Sequence, residues 1–256
     1  MYPTIFIFGK EIFLYDILVG IGTFAGAAAL LAALFFGGLL NKKTAAAYAL
    51  SIVLSLPFAP LLRRIAEAES VSEFICGSGS HFMGMVFAFY FIFPKVYKKI
   101  VKQYPDEGMK GISAFYFCTQ HFFSRLGCYS LGCCFGRPYN GVFAVTFPYG
   151  TNPYMHYGEE IPIFPTQLFE AFSMIIVLAL TAFLLCKKRK YSHLAFIIGF
   201  SAVIFISECF MYRYDFVRTV LGLSLPQICA LILIICSIAK MRGKDPNRCK
   251  TEIFNG

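Results

Sequence analysis

The sequence predicts an all-α polytopic membrane protein, with seven transmembrane helices and a small extracytoplasmic head that contains short β and irregular structure. Of its 256 residues, 58% are hydrophobic and only 14% are charged, whereas a soluble domain carries about 25% charged residues. Thirty phenylalanines add to this apolar character. Because a soluble protein would need far more charge to cover such a core, residues 1–256 are expected to form a single membrane domain.

Seven hydrophobic stretches are long enough to cross roughly 30 Å of hydrocarbon, which takes about 20 residues each. They lie near residues 13–36, 44–62, 80–98, 111–134, 165–186, 192–212 and 219–239. The opening segment lacks the basic start and the small-residue cleavage site of a signal peptide, so the first span is expected to be retained.

Basic residues in alternate loops predict the orientation. Lysine-rich runs such as 187–190 and the C-terminal tail fall on one side, which the positive-inside rule assigns to the cytoplasm. The N-terminus then lies outside and the C-terminus inside, and the net charge of +9 needs no nucleic-acid partner. The outer side carries mostly arginine: Lys10, Arg63, Arg64, Arg125, Arg137, Arg213 and Arg218. Arginine forks favour phosphate or carboxylate, so an anionic lipid headgroup is indicated, although arginines that snorkel at helix ends are the plainer alternative.

Polar residues from several spans converge on the predicted outer side. Arg125 is costly inside a membrane helix and normally faces a cavity or a partner. Gln167 and Glu170 are three residues apart and share a helix face, where Glu170 is a natural counter-charge for an arginine. The remaining members are Tyr15, His81, Glu208 and Gln227. This convergence predicts a site in the outer leaflet, and it disfavours a transporter, whose polar groups gather at the midplane.

Ten cysteines invite a disulfide or metal interpretation, above all Cys128, Cys133 and Cys134, which lie between glycines. The spacing C-x4-C-C differs from that of usual zinc sites, so no metal is expected. A bridge between Cys128 and Cys133, or a metal site completed by His81 or His121, stays open. Close helix packing through small residues is favoured.

The segment 135–164 is the only sizeable loop predicted outside, and it would form the small head. Its residues Gly141–Pro148 indicate a short strand ended by proline. Turn formers and aromatic residues follow, and Glu159 and Glu160 are expected to be solvated.

The stretch Ser124–Arg137 resembles the signature G-R-x-G-N-F-x-N-x-E-x-x-G of the prolipoprotein diacylglyceryl transferase family, with Arg125, Gly127 and Gly136 matching. Phe164–Glu170 is similar to the family's H-P-[ST]-Q-L-Y-E segment. Weaker similarities cover Leu14–Asp16, Gly77–Gly84, Ile204–Asp215 and Ser224–Gln227. The chain departs from the pattern where the signature has Asn or Glu, at Cys128, Leu131 and Cys133, and where a later motif has Arg, at Ile204 and Met211.

The resemblance implies transfer of the diacylglyceryl group of phosphatidylglycerol to the lipobox cysteine of a prolipoprotein signal peptide, with release of glycerol 1-phosphate. The enzyme would lie in the bacterial inner membrane, in contact with the lipid bilayer, and would use no cofactor. Arg125 would clamp the phosphate, helped by Arg137 or Arg213, and His81, or less favourably His121, would take the thiol proton. Tyr15 and Glu208 would join Arg125 and His81 as catalytic residues. The substrate-binding set would be Arg137, Arg213, Gln167, Glu170, Gly127, Gly136, Cys128, Cys133 and Gln227.

Two alternatives remain at this stage. The chain can be a transferase of the same fold that acts on another lipid or acceptor, which the changed signature positions favour. It can also be a non-catalytic or thiol-redox membrane protein, which the cysteine group favours.

Overall fold

A computed structural model describes residues 4–7, 10–68, 70, 72, 80–212 and 219–242. Arg213 and Arg218, together with parts of the similar segments 77–84 and 204–215, lie outside the described residues. The structure is mostly helical, at 73%. This agrees with the helical class that the composition predicts.

Ten α-helices and two short hairpins make up the described part of the chain. The hairpins pair β1 (Thr4–Ile7) with β2 (Lys10–Phe13), and β3 (Thr219–Val220) with β4 (Leu223–Ser224), both antiparallel. A 3-10 turn at Arg189–Tyr191 links two of the helices. In chain order the helices are α1 (Leu14–Phe36), α2 (Lys42–Ser55), α3 (Phe58–Glu67), α4 (Phe82–Val101), α5 (Glu107–Ile112), α6 (Ala114–Leu131), α7 (Asn152–Tyr157), α8 (Thr166–Lys187), α9 (Ser192–Phe210) and α10 (Leu225–Arg242).

Four segments of the described chain are helical, long and apolar enough to cross a membrane. They are Leu14–Phe36, Lys42–Glu67, Thr166–Lys187 and Arg189–Phe210. Their large apolar side chains include many that point away from the protein, as lipid-facing residues do: Phe24, Phe35, Phe36, Ile176 and Phe183. The chain is therefore a helical membrane protein.

The other three predicted spans also contain helices, α4, α6 and α10, but these meet the same criteria less well. Lysines end α4, and the second half of α6 carries several polar groups, while the apolar stretch Leu225–Lys240 in α10 is shorter. That all seven segments cross the membrane therefore stays a prediction.

A break divides the second predicted span. The helix α2 begins where the side chain of Asn41 accepts a hydrogen bond of 2.9 Å from the backbone N–H of Thr44, and it ends at Ser55. Pro57 then interrupts the hydrogen-bond ladder, because proline has no backbone N–H, and α3 restarts at Phe58. The helical region continues to Glu67, five residues beyond the predicted end, and this extension brings Glu67 to the site described below.

The helices pack around an aromatic core. The rings of Phe89 and Phe93 stack with centroids 5.0 Å apart, and those of Phe117 and Phe196 with centroids 6.2 Å apart. At Gly22, a Cβ atom would lie only 2.8 Å from Cβ of Phe123, so glycine lets α1 approach α6 closely. This packing gathers the beginnings of α1, α4, α8 and α10 with the ends of α6 and α9. We call this end of the bundle the polar end.

The segment 135–164 has a small core of its own, formed by Phe135, Phe147 and Ile163. The strand predicted at Gly141–Pro148 is not a regular strand in the structure, since Val145 alone pairs there, in an isolated bridge with Ile163. The segment instead contains the short helix α7 and irregular turns. Glu159 and Glu160 are exposed, as solvated residues would be.

Candidate active site

A buried ionic cluster lies at the polar end, between α6, α8 and α9. Arg125 donates from Nε to Oε2 of Glu170 at 2.7 Å, and His121 Nε2 lies 2.7 Å from the same oxygen. Ser207 donates from Oγ to the other carboxylate oxygen at 2.5 Å. The side chains of Glu170 and His121 are 1% exposed and that of Arg125 is 14% exposed. We call these four residues the arginine cluster.

Helix geometry explains how the arginine cluster forms. His121 and Arg125 are four residues apart on α6 and so project from the same face, towards the first turns of α8. A carboxylate buried to this degree is costly unless charges and hydrogen bonds compensate it, and Glu170 receives both. Within the described residues, the two Nη groups of Arg125 make no hydrogen bond. Glu170 therefore fixes the guanidinium through Nε and leaves its forked end for another anion.

The two candidate histidines have different surroundings. His121 is buried and its Nε2 faces Glu170, so it acts on the orientation of that carboxylate rather than on a substrate. His81 precedes α4, and its side chain is 24% exposed. Its Nε2 lies 2.9 Å from Oε1 of Glu67, and Arg63 donates from Nε to Oε2 of the same carboxylate at 2.7 Å. His81 is therefore partly exposed, and a carboxylate holds its ring in place.

The three cysteines of the signature stretch also come together. The sulfur atoms of Cys128, Cys133 and Cys134 lie within 4.8 Å of one another. The helix α6 ends at Leu131, and Gly132 adopts φ +69°, which turns the chain back so that the N–H of Cys133 donates to the carbonyl of Cys128 at 3.1 Å. All three are free thiols, and no disulfide occurs among the described cysteines. We call them the thiol cluster.

The first turn of α8 fixes the backbone of the thiol cluster. Gln167, which is fully buried, donates from Nε2 to the carbonyl of Cys133 at 2.7 Å. Thr166 donates from Oγ1 to the carbonyl of Cys134 at 2.5 Å. Cys134 itself adopts φ +55°, an unusual backbone conformation for a residue with a side chain. Exposure rises through the cluster, from buried Cys128 to exposed Cys134.

Tyr15 and Gly127 lie beside both clusters. A Cβ atom on Gly127 would lie 3.0 Å from the Tyr15 ring, so glycine favours this close contact between α1 and α6. Tyr15 lies near Arg125 and near the three thiols. His81 lies near Cys134. The predicted residues Tyr15, His81, Arg125, Gln167 and Glu170 thus lie in one region, at the polar end.

Glu208 and Gln227 form a second polar group between α9 and α10. Ser224 donates from Oγ to Oε2 of Glu208 at 2.6 Å, and its backbone N–H donates to Oε1 of Gln227 at 3.0 Å. Within the described chain Glu208 makes no hydrogen bond to Arg125, although Ser207 beside it contacts Glu170. The structure therefore places Glu208 and Gln227 next to the arginine cluster rather than in it.

The remaining predicted residues have structural or peripheral positions. Gly136 lies directly against the carbonyl of Phe164, where a side chain would not fit. Arg137 is exposed, and its backbone pairs with Phe210 and Phe164 at 2.9 and 3.1 Å. Sequence reasoning missed two contributors, Ser207 and Glu67. The spacing of Arg63 and Glu67, four residues apart, was a usable signal for Glu67, whereas nothing local marked Ser207.

A family model for the prolipoprotein diacylglyceryl transferases matches residues 75–242, a range that contains the arginine cluster and the thiol cluster. No curated protein matches the chain. Because the family match spans more than half of the chain, and because Arg125 of the signature occupies the centre of a buried polar site, the chain belongs to the prolipoprotein diacylglyceryl transferase family.

Proposed function

We propose that this protein transfers the diacylglyceryl group of phosphatidylglycerol to the lipobox cysteine of a prolipoprotein signal peptide and releases glycerol 1-phosphate. Membership of the family indicates a membrane transferase of lipoprotein biosynthesis. The single observation that carries the finer proposal is the guanidinium of Arg125, which Glu170 holds at 2.7 Å through Nε while its forked end has no hydrogen bond within the described chain.

Arg125 binds the phosphate of the lipid in this mechanism. A guanidinium presents parallel N–H donors that match two phosphate oxygens. Because Glu170, His121 and Ser207 fix the side chain beforehand, the donors need no rearrangement as negative charge develops on the leaving phosphate. Arg137 and Arg213 supply the further positive charge near the headgroup.

His81 takes the proton of the acceptor thiol, with Glu67 orienting its ring. The thiolate sulfur forms a bond to the glyceryl carbon while the bond from that carbon to the phosphate oxygen breaks. The electron pair of the broken bond stays on the phosphate, which receives the proton from His81. Tyr15 helps to position the headgroup beside Arg125, and Gln167 holds the backbone of the thiol cluster. Glu208 and Gln227 support the arginine cluster from the neighbouring polar group. The close contacts at Gly127 and Gly136 hold α6 against α1 and the signature loop against Phe164.

The topology in this proposal has seven spans in the bacterial inner membrane, an outside N-terminus and a cytoplasmic C-terminus. The lysine-rich loops support the orientation. The polar end then opens towards the outer leaflet, where a translocated signal peptide and phosphatidylglycerol meet. The segment 135–164 forms a head at that surface, within a single membrane domain.

Complementation tests the proposal. The parent chain, expressed in bacteria depleted of their own diacylglyceryl transferase, is expected to lipidate a reporter lipoprotein, as followed by its intact mass. Arg125→Ala should reduce the rate about 10²–10³-fold, as loss of a preorganised donor does. Arg189→Ala is the matched control, because Arg189 is an exposed arginine at the opposite end, 3.5 Å from Asp106. Full lipidation by the Arg125→Ala variant would contradict the proposal.

A second candidate is a transferase of the same fold with another lipid or acceptor. It is favoured by the cysteines at positions 128 and 133, where the family signature has Asn and Glu. Mass spectrometry of lipids and acceptor peptides incubated with the purified protein separates the two, since each predicts a different product mass.

A further inference from the structure

We infer that Cys128, Cys133 and Cys134 bind one Zn²⁺ ion as three thiolates, and that the fourth coordination position of this ion binds the thiol of the acceptor. The inference rests on the proposed function, because it assigns a device for activating the acceptor thiol in that reaction. Catalytic zinc sites have this form, with three protein ligands and one open position.

The distances suit such a site. A tetrahedral zinc with Zn–S bonds of about 2.3 Å places its sulfur atoms about 3.8 Å apart. The three sulfur atoms here lie within 4.8 Å of one another. Closing the cluster on an ion therefore needs movements of less than about 1 Å, which side-chain rotation supplies. The sequence expectation of no metal site rested on linear spacing, and that spacing does not show the reversal at Gly132.

The backbone that carries the thiols is already fixed. The turn at Gly132 returns Cys133 to Cys128, while Gln167 and Thr166 each hold the carbonyl of one of the two adjacent cysteines. Supports of this kind, outside the ligands themselves, set the geometry and strength of metal sites. The left-handed backbone at Cys134 is a further imposed feature, since such conformations cost free energy and cluster at functional sites.

The cluster can be reached from one side. Cys128 is buried and Cys134 is exposed, so an approaching peptide would reach the ion from the side of Cys134. Arg125 lies one turn away from Cys128 on α6 and near all three thiols. Three thiolates and one Zn²⁺ carry a net charge of −1, which the guanidinium helps to compensate.

The proposed reaction needs a deprotonated acceptor thiol, which a zinc ion would provide. A thioether forms only when a thiolate attacks, and a free thiol with an ordinary pKa of about 8.5 is mostly protonated at neutral pH. A thiol that coordinates zinc loses its proton outright. The proton passes to His81 and then to the oxygen of the departing phosphate, while the coordinated sulfur forms its bond to the glyceryl carbon. The ion changes neither charge nor oxidation state, so no other reactant is needed.

Metal analysis of the full-length protein tests the site independently of activity. The parent, purified in detergent under reducing conditions and incubated with Zn²⁺, should hold about one zinc per chain, bound by sulfur in X-ray absorption spectra. Replacement by Co²⁺ should produce the absorption of thiolate-to-cobalt charge transfer. Cys128→Ser should weaken Zn²⁺ binding by at least about 100-fold, and Gln167→Leu by about 10-fold. Cys186→Ser is the matched control, because Cys186 is an exposed cysteine at the opposite end of α8.

The outcomes separate this inference from the proposed function. Zinc bound by sulfur in a protein without transferase activity would support the site and reject its role in lipidation. Lipidation that continues after the metal has been removed by a chelator and shown to be absent would overturn the inference and leave the proposed function standing. A disulfide between any two of the three cysteines in the active protein would also overturn it. If a serine variant does not fold, the X-ray absorption and cobalt spectra of the parent protein still test the site.

Discussion

The arginine cluster and the thiol cluster share the helix α6 but differ in construction. Arg125 and Cys128 are only three residues apart, yet Arg125 joins a closed network with Glu170 and His121, whereas Cys128 opens a series of thiols that ends at exposed Cys134. The first is built from side chains on three helices, and the second from a helix end and a turn. The hydrogen bonds of the arginine cluster hold a charged side chain in place, whereas the thiol cluster leaves reactive sulfur atoms accessible. Substitutions in the arginine cluster should therefore lower both stability and activity, whereas a substitution at the exposed end of the thiol cluster should act mainly on activity.

The largest effect on stability is expected from Glu170→Gln, which removes the buried negative charge and keeps the size of the side chain. Arg125 would then be buried without its counter-ion, a change that costs about 3–5 kcal/mol. Reversible unfolding of the purified protein in mixed micelles measures the loss. The double variant Arg125→Met, Glu170→Leu should lose less than the sum of the two single substitutions, since the pair is removed together. Equal and additive losses would show that the two residues are energetically independent.

A smaller effect is expected from Gln167→Leu, which breaks the link between α8 and the thiol cluster. The carbonyl of Cys133 would lose its donor, at a cost of about 1–3 kcal/mol. The same unfolding assay applies, and the alkylation rate of Cys133 should rise as its backbone loosens. Thr181→Val on the same helix is the control, because Thr181 donates only to the carbonyl of Val177 at 2.8 Å, one turn away. If the alkylation rate of Cys133 is unchanged, Gln167 does not hold the cluster.

The smallest effect on stability is expected from Cys134→Ser in the metal-free protein. Cys134 is exposed, and surface substitutions usually change stability by less than about 0.5 kcal/mol. Lipidation by the zinc-loaded protein should nevertheless fall by about 10-fold or more, as it does when a supporting or ligating group of a metal site is lost. Thermal unfolding and the reporter assay give the two readouts side by side. A loss of stability as large as that of Gln167→Leu would instead make Cys134 a structural residue.

Much of the fold follows from the sequence, because long apolar runs show where helices lie. The fifth predicted span, 165–186, corresponds to α8 at Thr166–Lys187. The second span was predicted as one helix over 44–62, and the structure breaks it at Pro57 and extends it to Glu67. Apolar composition alone does not reveal a local break in a helix. It also does not reveal that a helix continues into polar residues.

The candidate site is less accessible to sequence reasoning. Helix spacing indicates that His121 and Arg125 share a face, and that Gln167 and Glu170 share another. It does not show which faces meet, so Ser207, which comes from a third helix, carries no local signal. The thiol cluster is the clearest case, because three sulfur atoms meet only through the reversal at Gly132.

The left-handed backbone at Cys134 has an evolutionary consequence. In that conformation a residue with a side chain is disfavoured by about 1–2 kcal/mol, and glycine is not. A chain selected for thermal robustness alone would carry glycine at this position. Under the zinc inference, a cysteine at this position exchanges some stability of the fold for activity.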